Sequence, residues 1–316
     1  MNIKKSLLII MVFIGVILAC TPDEIEFTVP PPRDRTEQQI ADNDSLLNYL
    51  ETHYYNKSAF ADTSLDYSVD DIVIMELPKD SEGNYLELPD PDDNELLIND
   101  VVTLTTSFQD TTYDYYVLDL NPDAIGPEPN FTDDVSIIYS GQLPNGTVFD
   151  STPNAITLDL IQVIPGWRDV LQDFNTAEDG PTVNPDGTIG YSNYGFGVMF
   201  LPSGLAYFNA PPGGAGIAPY TNLIFKFELY DAAPNDHDND GVLSHFEDLN
   251  GNNNITDDDT DEDDIPNFFD PDDDGDGVLT INEDLNNDGD PTNDDSDMDG
   301  IPNYLDEDST ESNETE

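Results

Sequence analysis

The acidic residues near the end of the chain recur at spacings that suit a bound metal cation. A 36-residue unit that begins at residue 236 repeats from residue 272, and each unit contains two loops of 12 residues. Every loop has Asp at its first, third and fifth positions and a carboxylate at its twelfth. Alternate side chains of such a loop point at one cation, and the last carboxylate completes an oxygen cage of the kind that calcium prefers. The predicted metal ligands are Asp236, Asp238, Asp240, Glu247, Asp259, Asp261, Asp263, Asp270, Asp272, Asp274, Asp276, Glu283, Asp295, Asp297, Asp299 and Asp306.

These loops resemble two known calcium-binding patterns. DHDNDGVLSHFE and DDDGDGVLTINE resemble EF-hand loops, with Gly at the sixth position and Glu at the twelfth. DTDEDDIPNFFD and DSDMDGIPNYLD end in Asp and resemble the thrombospondin type 3 repeat, which the lack of long flanking helices also favours. The resemblance implies that structural calcium folds residues 235–308 into a compact, loop-rich rod. The alternative, which composition alone favours, is a disordered acidic tail, and residues 309–316 are expected to be disordered.

The overall charge and the cysteine content exclude several functions. The chain has 68 acidic residues against 8 lysines and arginines, a net charge of −60 at pH 7. Such a chain is repelled by nucleic-acid backbones, so no nucleic-acid partner is expected. Cys20 is the only cysteine, which rules out internal disulfides and cysteine-based zinc clusters. No glycine-rich phosphate-binding loop is present in the sequence, and no catalytic cofactor is expected.

The stretch from residue 135 to residue 231 carries large aromatic and apolar side chains in short strand-like runs. The spacing of apolar residues predicts a short helix at 165–174. The predicted strands are 135–139, 156–160, 197–201 and 223–230. One short helix among antiparallel strands indicates an α+β fold in which the helix lies across a curved sheet. On composition alone, these aromatic residues either fill an ordinary core or line a pocket.

Four sequence blocks favour the pocket. IIYSGQLPNGTVFDST, QVIPGW, PSGLAYF and NLIFKFEL occur in the order and with the internal spacing of the FKBP-type peptidyl-prolyl isomerases, within residues 109–232. The resemblance implies an FKBP-like antiparallel sheet wrapped around a short helix, an apolar pocket between them, and proline-containing polypeptides as substrates. The residues that it places at the pocket are Tyr139, Phe149, Asp150, Val163, Ile164, Trp167, Tyr207, Ile217 and Phe225.

The same resemblance implies a role for each of these residues. Tyr139 and Phe149 form one wall, with Asp150 beside them. Val163 and Ile164 lie along the entrance, where the backbone N–H of Ile164 holds a substrate carbonyl, and Trp167 is the floor. Tyr207 donates a hydrogen bond from its hydroxyl, and Ile217 and Phe225 close the far side of the pocket.

Such a pocket needs no nucleophile and no proton transfer. Rotation about a peptide bond has a barrier of about 18–20 kcal/mol because the planar amide is stabilised by resonance. The cis and trans forms of an X–Pro bond differ by only about 1 kcal/mol. A cavity that excludes water favours the twisted amide, which has lost its charge separation, so the pocket is complementary to the transition state. The alternative is an FKBP-like binding module with weak turnover on a calcium-stabilised spacer, for protein interaction or adhesion. Three departures from the family bear on this choice: Asn154, Phe208 and an insertion at 175–196.

The first 20 residues are typical of a bacterial lipoprotein signal. Lys4 and Lys5 precede an apolar run at 7–19 that is too short to span a membrane well. The run ends in Ile-Leu-Ala-Cys, which resembles a lipobox and implies cleavage before Cys20 and lipidation of that residue. The protein is therefore predicted to lie in the cell envelope, lipid-anchored to the outer membrane and facing the periplasm or the exterior, like FKBP lipoproteins of the Bacteroidetes. The alternative is an ordinary cleaved signal peptide.

Two segments connect the signal to the isomerase-like domain. Residues 21–35 include three consecutive prolines and are predicted to form an extended tether. Residues 36–108 are predicted to form an N-terminal helix followed by an irregular, weakly β region. Thr36 and Gln39 resemble a capping box, and the helix from about 36 to 55 covers either its own domain or a partner.

Overall fold

The computed structural model describes residues 31–313, except residues 63, 64, 186 and 188. The predicted signal at 1–20, the lipidation site Cys20 and most of the tether lie outside the described residues. Every helix and strand described below belongs to one unit that begins at Asp34. Within the described part of the chain, no helix is both long enough and apolar enough to cross a membrane.

The described residues contain three α-helices and twelve strands. The helices are α1 (Arg35–Thr52), α2 (Leu97–Asp100) and α3 (Pro165–Leu171). The strands are β1 (His53–Tyr55), β2 (Ile74–Glu76), β3 (Glu95–Leu96), β4 (Val102–Phe108), β5 (Thr111–Asp119), β6 (Asp134–Gln142), β7 (Val148–Ser151), β8 (Ile156–Asp159), β9 (Thr182–Val183), β10 (Ile189–Gly190), β11 (Gly195–Leu201) and β12 (Leu223–Ala233).

The main sheet is antiparallel and has the strand order β4-β5-β11-β12-β6-β7, with β8 also paired to β6. Its register places Met199 opposite Phe225 and Tyr139 opposite Phe227. The core between this sheet and α3 contains Trp167 and residues of β5, β6, β11 and β12. The predicted α+β fold, an antiparallel sheet wrapped around a short helix, is therefore confirmed.

Strand β12 is buried on both faces along most of its length. Phe225 and Phe227 point into the core under α3. Ile224 points the opposite way, into a second core that includes Leu46 of α1. A strand that is covered on both faces has a nearly continuous apolar sequence rather than an alternating one. This explains the run LIFKFEL.

Two charged side chains interrupt that run, and both bond to the segment between β1 and β2. Lys226 Nζ donates a hydrogen bond of 2.6 Å to the carbonyl oxygen of Ile72. Glu228 Oε1 accepts a bond of 2.7 Å from the backbone N–H of Val69. Burial lowers the pKa of Lys226 and raises that of Glu228. The back face of the sheet therefore depends on the N-terminal region for its polar partners.

Helix α1 packs on this back face. Its N-cap is Asp34, whose side chain accepts a hydrogen bond of 3.0 Å from the backbone N–H of Glu37. The helix ends at Thr52, before the predicted limit near residue 55, because the chain enters β1 at the next residue. Leu50 of α1 is fully buried in the second core. Of the two alternatives for this helix, the structure shows it covering its own chain, while the domain limits stay predictions.

The four acidic loops share a backbone conformation as well as a spacing. At the sixth position of each loop φ is positive, at 100° for Gly241, 75° for Asp264, 94° for Gly277 and 99° for Gly300. This left-handed conformation favours glycine and produces the sharp turn of a calcium-binding loop. Short 3-10 helices lie inside three of the loops, at Asn267–Phe269, Thr280–Asn282 and Asn303–Leu305, and a fourth, Pro291–Asn293, lies between the last two loops.

The acidic tail packs against the main domain near the end of β8. Ile255 and Phe268 of the tail form a small core with Phe131, and Ile161 packs against it. Apolar contact at this point holds the tail beside the segment that leads from β8 into α3.

Candidate functional site

A cleft of about 340 Å³ opens between α3, β6 and β12. Because β6 and β12 are neighbours in the sheet, and because α3 crosses their face, side chains from distant parts of the sequence meet there. The residues that line the cleft are Tyr139, Asp150, Leu158, Gln162, Val163, Ile164, Trp167, Tyr207 and Phe225. Seven of the nine predicted pocket residues are among them.

The floor of the cleft is aromatic. Trp167 and Phe225 are 4 % and 3 % exposed, and their ring centroids lie 4.9 Å apart. The Tyr139 ring meets the Trp167 ring edge-on at 5.5 Å. Tilted and edge-to-face pairs of this kind stabilise one another beyond the apolar area that they bury. The floor of the cleft is therefore formed by packed aromatic rings.

A polar pair stands at the rim. Tyr139 Oη donates a hydrogen bond of 2.6 Å to Asp150 Oδ2, across the pairing of β6 with β7. Burial raises the pKa of Tyr139, and the bond to Asp150 raises it further. Burial, with the charge of Asp150, also raises the pKa of Tyr207. Both hydroxyls keep their protons at neutral pH. Tyr139 already donates its proton to Asp150, so Tyr207 is the hydroxyl that can donate a hydrogen bond to a substrate.

The entrance is formed by the residues just before α3. Ile164 is the N-cap of α3, with extended backbone, and its carbonyl accepts a bond of 3.0 Å from the N–H of Trp167. The N–H of an N-cap residue has no partner inside the helix. The Ile164 amide is thus placed at the rim by the same turn that positions Trp167 at the floor.

Two predicted pocket residues do not line the cleft. The Phe149 ring lies behind the wall, edge-on to Phe225 at 5.5 Å, and Ile217 packs against the same core. Leu158 and Gln162 line the cleft but were not predicted. Both could have been predicted from the sequence. Gln162 belongs to the QVIPGW block, and Leu158 lies in β8, where the two-residue period of a strand determines which side chains share a face.

None of the three departures from the family pattern is among the residues that line the cleft. Asn154 is exposed in the turn between β7 and β8. Phe208 is buried with φ of 49°, and the Arg35 guanidinium lies 4.2 Å from its ring centroid. In the insertion at 175–196, the Tyr191 ring stacks on Tyr230 at 4.6 Å, as part of the second core. The end of the insertion therefore packs on the back of the sheet, whereas Val183 and Ile189 of its β9–β10 hairpin are exposed. No described residue of the insertion lines the cleft.

Twelve of the sixteen predicted metal ligands gather in four groups, one in each loop. In every loop the carboxylates at positions one, three and five have oxygens within 4.8 Å of one another. Glu247, at position twelve of the first loop, comes equally close to Asp240 and to Asp273, which was not predicted as a ligand. Burial, followed by the charges of Asp274 and Asp276, raises the pKa of Glu283 to about 9. The terminal Asp270, Glu283 and Asp306 do not lie within this distance of the other carboxylates of their loops.

Buried carboxylate oxygens without hydrogen-bond partners test whether this tail suits a cation. Both oxygens of Asp238, Glu247 and Glu283 are buried and lack a partner. One oxygen each of Asp240 and Asp274 is in the same condition. Buried polar groups are normally hydrogen-bonded, and buried charges are paired or bind metal. Clustered, unpartnered oxygens are the donor set that calcium takes, so these residues fit that ion.

Comparisons with known proteins match both parts of the chain. The sequence model of the FKBP-type peptidyl-prolyl cis-trans isomerases matches residues 126–230. A family described as BamM C-terminal matches residues 237–290. The outer membrane protein MIP of Legionella longbeachae is 37% identical over 107 residues, which are 33% of this chain and 38% of that protein. The chain therefore spans less than half the length of this longer relative.

Shorter relatives are covered more fully. The FK506-binding protein of Neisseria meningitidis serogroup B is 33% identical over 101 residues, which are 30% of this chain and 76% of that protein. A crystal structure of a peptidyl-prolyl cis-trans isomerase from Pseudomonas syringae is 28% identical, with a TM-score of 0.31 over 38% of this chain and 75% of that one. By its sequence match and by the coverage of the FK506-binding protein, this chain belongs to the FKBP-type peptidyl-prolyl cis-trans isomerase family.

Proposed function

We propose that the chain is a peptidyl-prolyl cis-trans isomerase that acts on proline-containing segments of exported proteins. One observation carries the proposal: the aromatic floor of Trp167 and Phe225 lies directly beneath the Tyr139–Asp150 rim pair and the Ile164 amide. An apolar floor next to fixed donors is what a rotating prolyl amide requires.

The residues divide the work between the two ends of the substrate amide. The aromatic floor holds the prolyl ring by apolar contact and excludes water. The Ile164 amide and the Tyr207 hydroxyl donate hydrogen bonds to substrate carbonyls. Because the twisted amide has lost resonance between its nitrogen and carbonyl, an apolar surface around the nitrogen favours it over the planar ground state. The Tyr139–Asp150 bond fixes the wall against which the ring turns.

The test is a proline-isomerisation assay on the full chain with Asp150→Asn, Tyr207→Phe and the control Asp179→Asn. Asp179 is exposed in the insertion and away from the cleft. We expect the first two variants to slow isomerisation about 10- to 100-fold, as loss of a positioning contact does, with unchanged thermal unfolding, and the control to match the parent. If the parent chain is folded but does not accelerate isomerisation above the background rate, the isomerase proposal is refuted. The alternative, a module that binds prolyl segments, would then be retained.

The protein is further proposed to be lipid-anchored through Cys20 in the cell envelope. Two observations support this: the lipobox-like sequence at the sole cysteine, and the similarity to MIP of Legionella longbeachae, which is named an outer membrane protein. Membrane fractionation of a bacterium that expresses the chain, with Cys20→Ser as the comparison, tests this. Equal membrane association of both forms would contradict the anchor.

The acidic tail is proposed to bind structural calcium through its four loops. The unpartnered buried oxygens and the repeated positive φ at the sixth position support this. When bound, calcium would neutralise carboxylates whose mutual repulsion otherwise opposes the fold. Calorimetric titration of the chelator-treated chain with calcium chloride, together with circular dichroism, tests it. Absence of both binding heat and spectral change at millimolar calcium would refute the proposal.

A further inference from the structure

Asp273 brings the third acidic loop into contact with the first. It occupies the second position of its loop, which is not one of the alternating positions expected to face that loop's own cation. Its carboxylate instead lies with those of Asp240 and Glu247 of the first loop, and the three ligand oxygens are within 4.8 Å of one another. Oxygens around one calcium ion, at 2.3–2.6 Å from the metal, are separated by no more than about 5 Å. The distances fit one shared ion.

The burial of these three side chains makes the arrangement unusual for acids. Asp240 and Asp273 are each 1% exposed, and Glu247 is 0% exposed. Asp240 Oδ2, Asp273 Oδ1 and both oxygens of Glu247 are buried without a hydrogen-bond partner. No lysine or arginine occurs after Lys226 in the sequence, so the tail contains no side chain of permanent positive charge to pair with them. Buried like charges without a counter-charge are strongly unfavourable.

The Asp273 side chain is also held in position for such a role. Thr280 Oγ1 donates a hydrogen bond of 2.9 Å to Asp273 Oδ2, and this leaves Oδ1 directed at the first loop. One carboxylate oxygen is therefore fixed by its own loop, while the other is available to a cation. Outer hydrogen bonds that orient a ligand in this way are typical of metal sites.

The repeat itself provides an internal comparison. The residue 36 positions after Asp273 is Ser309, which is 4% exposed and donates a hydrogen bond of 2.9 Å to Asp306 Oδ2. The third loop, with Glu283 in the place of Glu247, thus has no carboxylate at the position where the first loop has Asp273. The two EF-hand-like sites therefore differ in a carboxylate contributed from outside the loop, although the ligand positions within the two loops match.

We propose that Asp273 is a ligand of the calcium ion bound by the first loop, so that one ion joins the first and third loops. Because affinity at such sites rises with the number of charged ligands, this site binds calcium more tightly than the third loop does. The inference rests on the proposed calcium binding of the tail, and it adds a ligand from outside the 12-residue loop.

The experiment is calorimetric calcium titration of the full chain and of three variants. Asp273→Asn removes the charge but keeps an oxygen for Thr280, and Asp273→Ser introduces the residue that the second repeat already carries. Asp264→Asn is the matched control, because it removes one negative charge from an exposed loop position outside the ligand set. We expect both Asp273 variants to weaken the tightest class of site about 10-fold or more, and the control to leave it within about twofold.

A double-variant cycle with Glu247→Gln separates a shared ion from two independent effects. If Asp273 and Glu247 bind one ion, the loss in the double variant is smaller than the sum of the single losses. If the calcium affinities of both Asp273 variants equal that of Asp264→Asn, or if the losses add fully, Asp273 is not a ligand of this ion. Failure of the parent chain to bind any calcium would instead overturn the calcium proposal as a whole.

Discussion

His237 Nε2 lies 3.4 Å from Asp159 Oδ2, and this contact joins the first acidic loop to the segment that forms the cleft entrance. Asp159 Oδ2 also accepts a bond of 2.7 Å from Gln162 Nε2, and Gln162 lines the cleft. The same segment carries Ile161, which packs against the tail's small apolar core. The tail is therefore placed to influence the cleft as well as to extend the protein.

We expect His237→Ala to lower isomerase activity by a factor on the order of 3, which corresponds to a coupling of about 0.5–1 kcal/mol. The reason is that the entrance segment loses one of its two attachments to the tail. Phe246→Ala is the control, because Phe246 is exposed on the same loop. The measurement is kcat/KM in excess calcium, and equal values for both variants would show that the contact does not act on the cleft.

Gly141 is where a single methyl group should disturb the cleft. A Cβ atom there would lie 2.6 Å from Phe149 Cζ and 2.8 Å from Phe225 Cε1, so both rings would have to move. We expect Gly141→Ala to reduce kcat/KM about 10- to 100-fold, because displacement of about an ångström at a reacting site has that effect. Gly180→Ala is the control, since its Cβ would meet no atom within 4 Å. Parent-like activity in Gly141→Ala would show that these rings do not shape the site.

Asp169 on α3 should make stability depend on pH. Burial raises the pKa of its carboxyl from 3.8 to about 6, against the opposing charge of Arg168. A raised folded-state pKa means that the folded chain binds the proton more tightly, so stability is lost as pH rises from about 4 through about 6. We expect Asp169→Asn to match the parent at pH 3.5 and to exceed it by on the order of 2 kcal/mol at pH 8. Thermal unfolding at both pH values tests this, and a pH-independent difference would contradict it.

Asp42 should fix α1 to the 3-10 turn Ser203–Leu205 that follows β11. Its Oδ2 accepts bonds of 2.9 Å and 2.6 Å from the backbone N–H and hydroxyl of Ser203, and its Oδ1 accepts one from Gln38. We expect Asp42→Ala to lower the free energy of unfolding by about 1–3 kcal/mol, because it leaves buried donors with fewer partners. Asp44→Ala, at an exposed position of the same helix, should change it little. Chemical denaturation distinguishes the two, and a loss in both variants alike would indicate an effect of helix charge.

Much of the site was accessible from local sequence patterns. The QVIPGW block predicts a turn into a short helix, and this turn fixes Ile164 and Trp167 relative to each other. The 12-residue loops likewise predict which carboxylates converge, since their ligands are neighbours in sequence. Patterns of this range succeed because the contacts that they encode are made within one turn or one loop.

The remaining features required the tertiary structure, because they depend on which distant segments meet. The sequence by itself determined the α+β fold, the aromatic floor and the four acidic loops. It did not show that Phe149 lies behind the wall, that Phe208 packs under Arg35, or that the end of the insertion packs on the back of the sheet. Only the folded chain brings Asp273 to Glu247 and His237 to Asp159. Those contacts are set by the packing of one loop on another and of the tail on β8, which no periodicity within a single segment specifies.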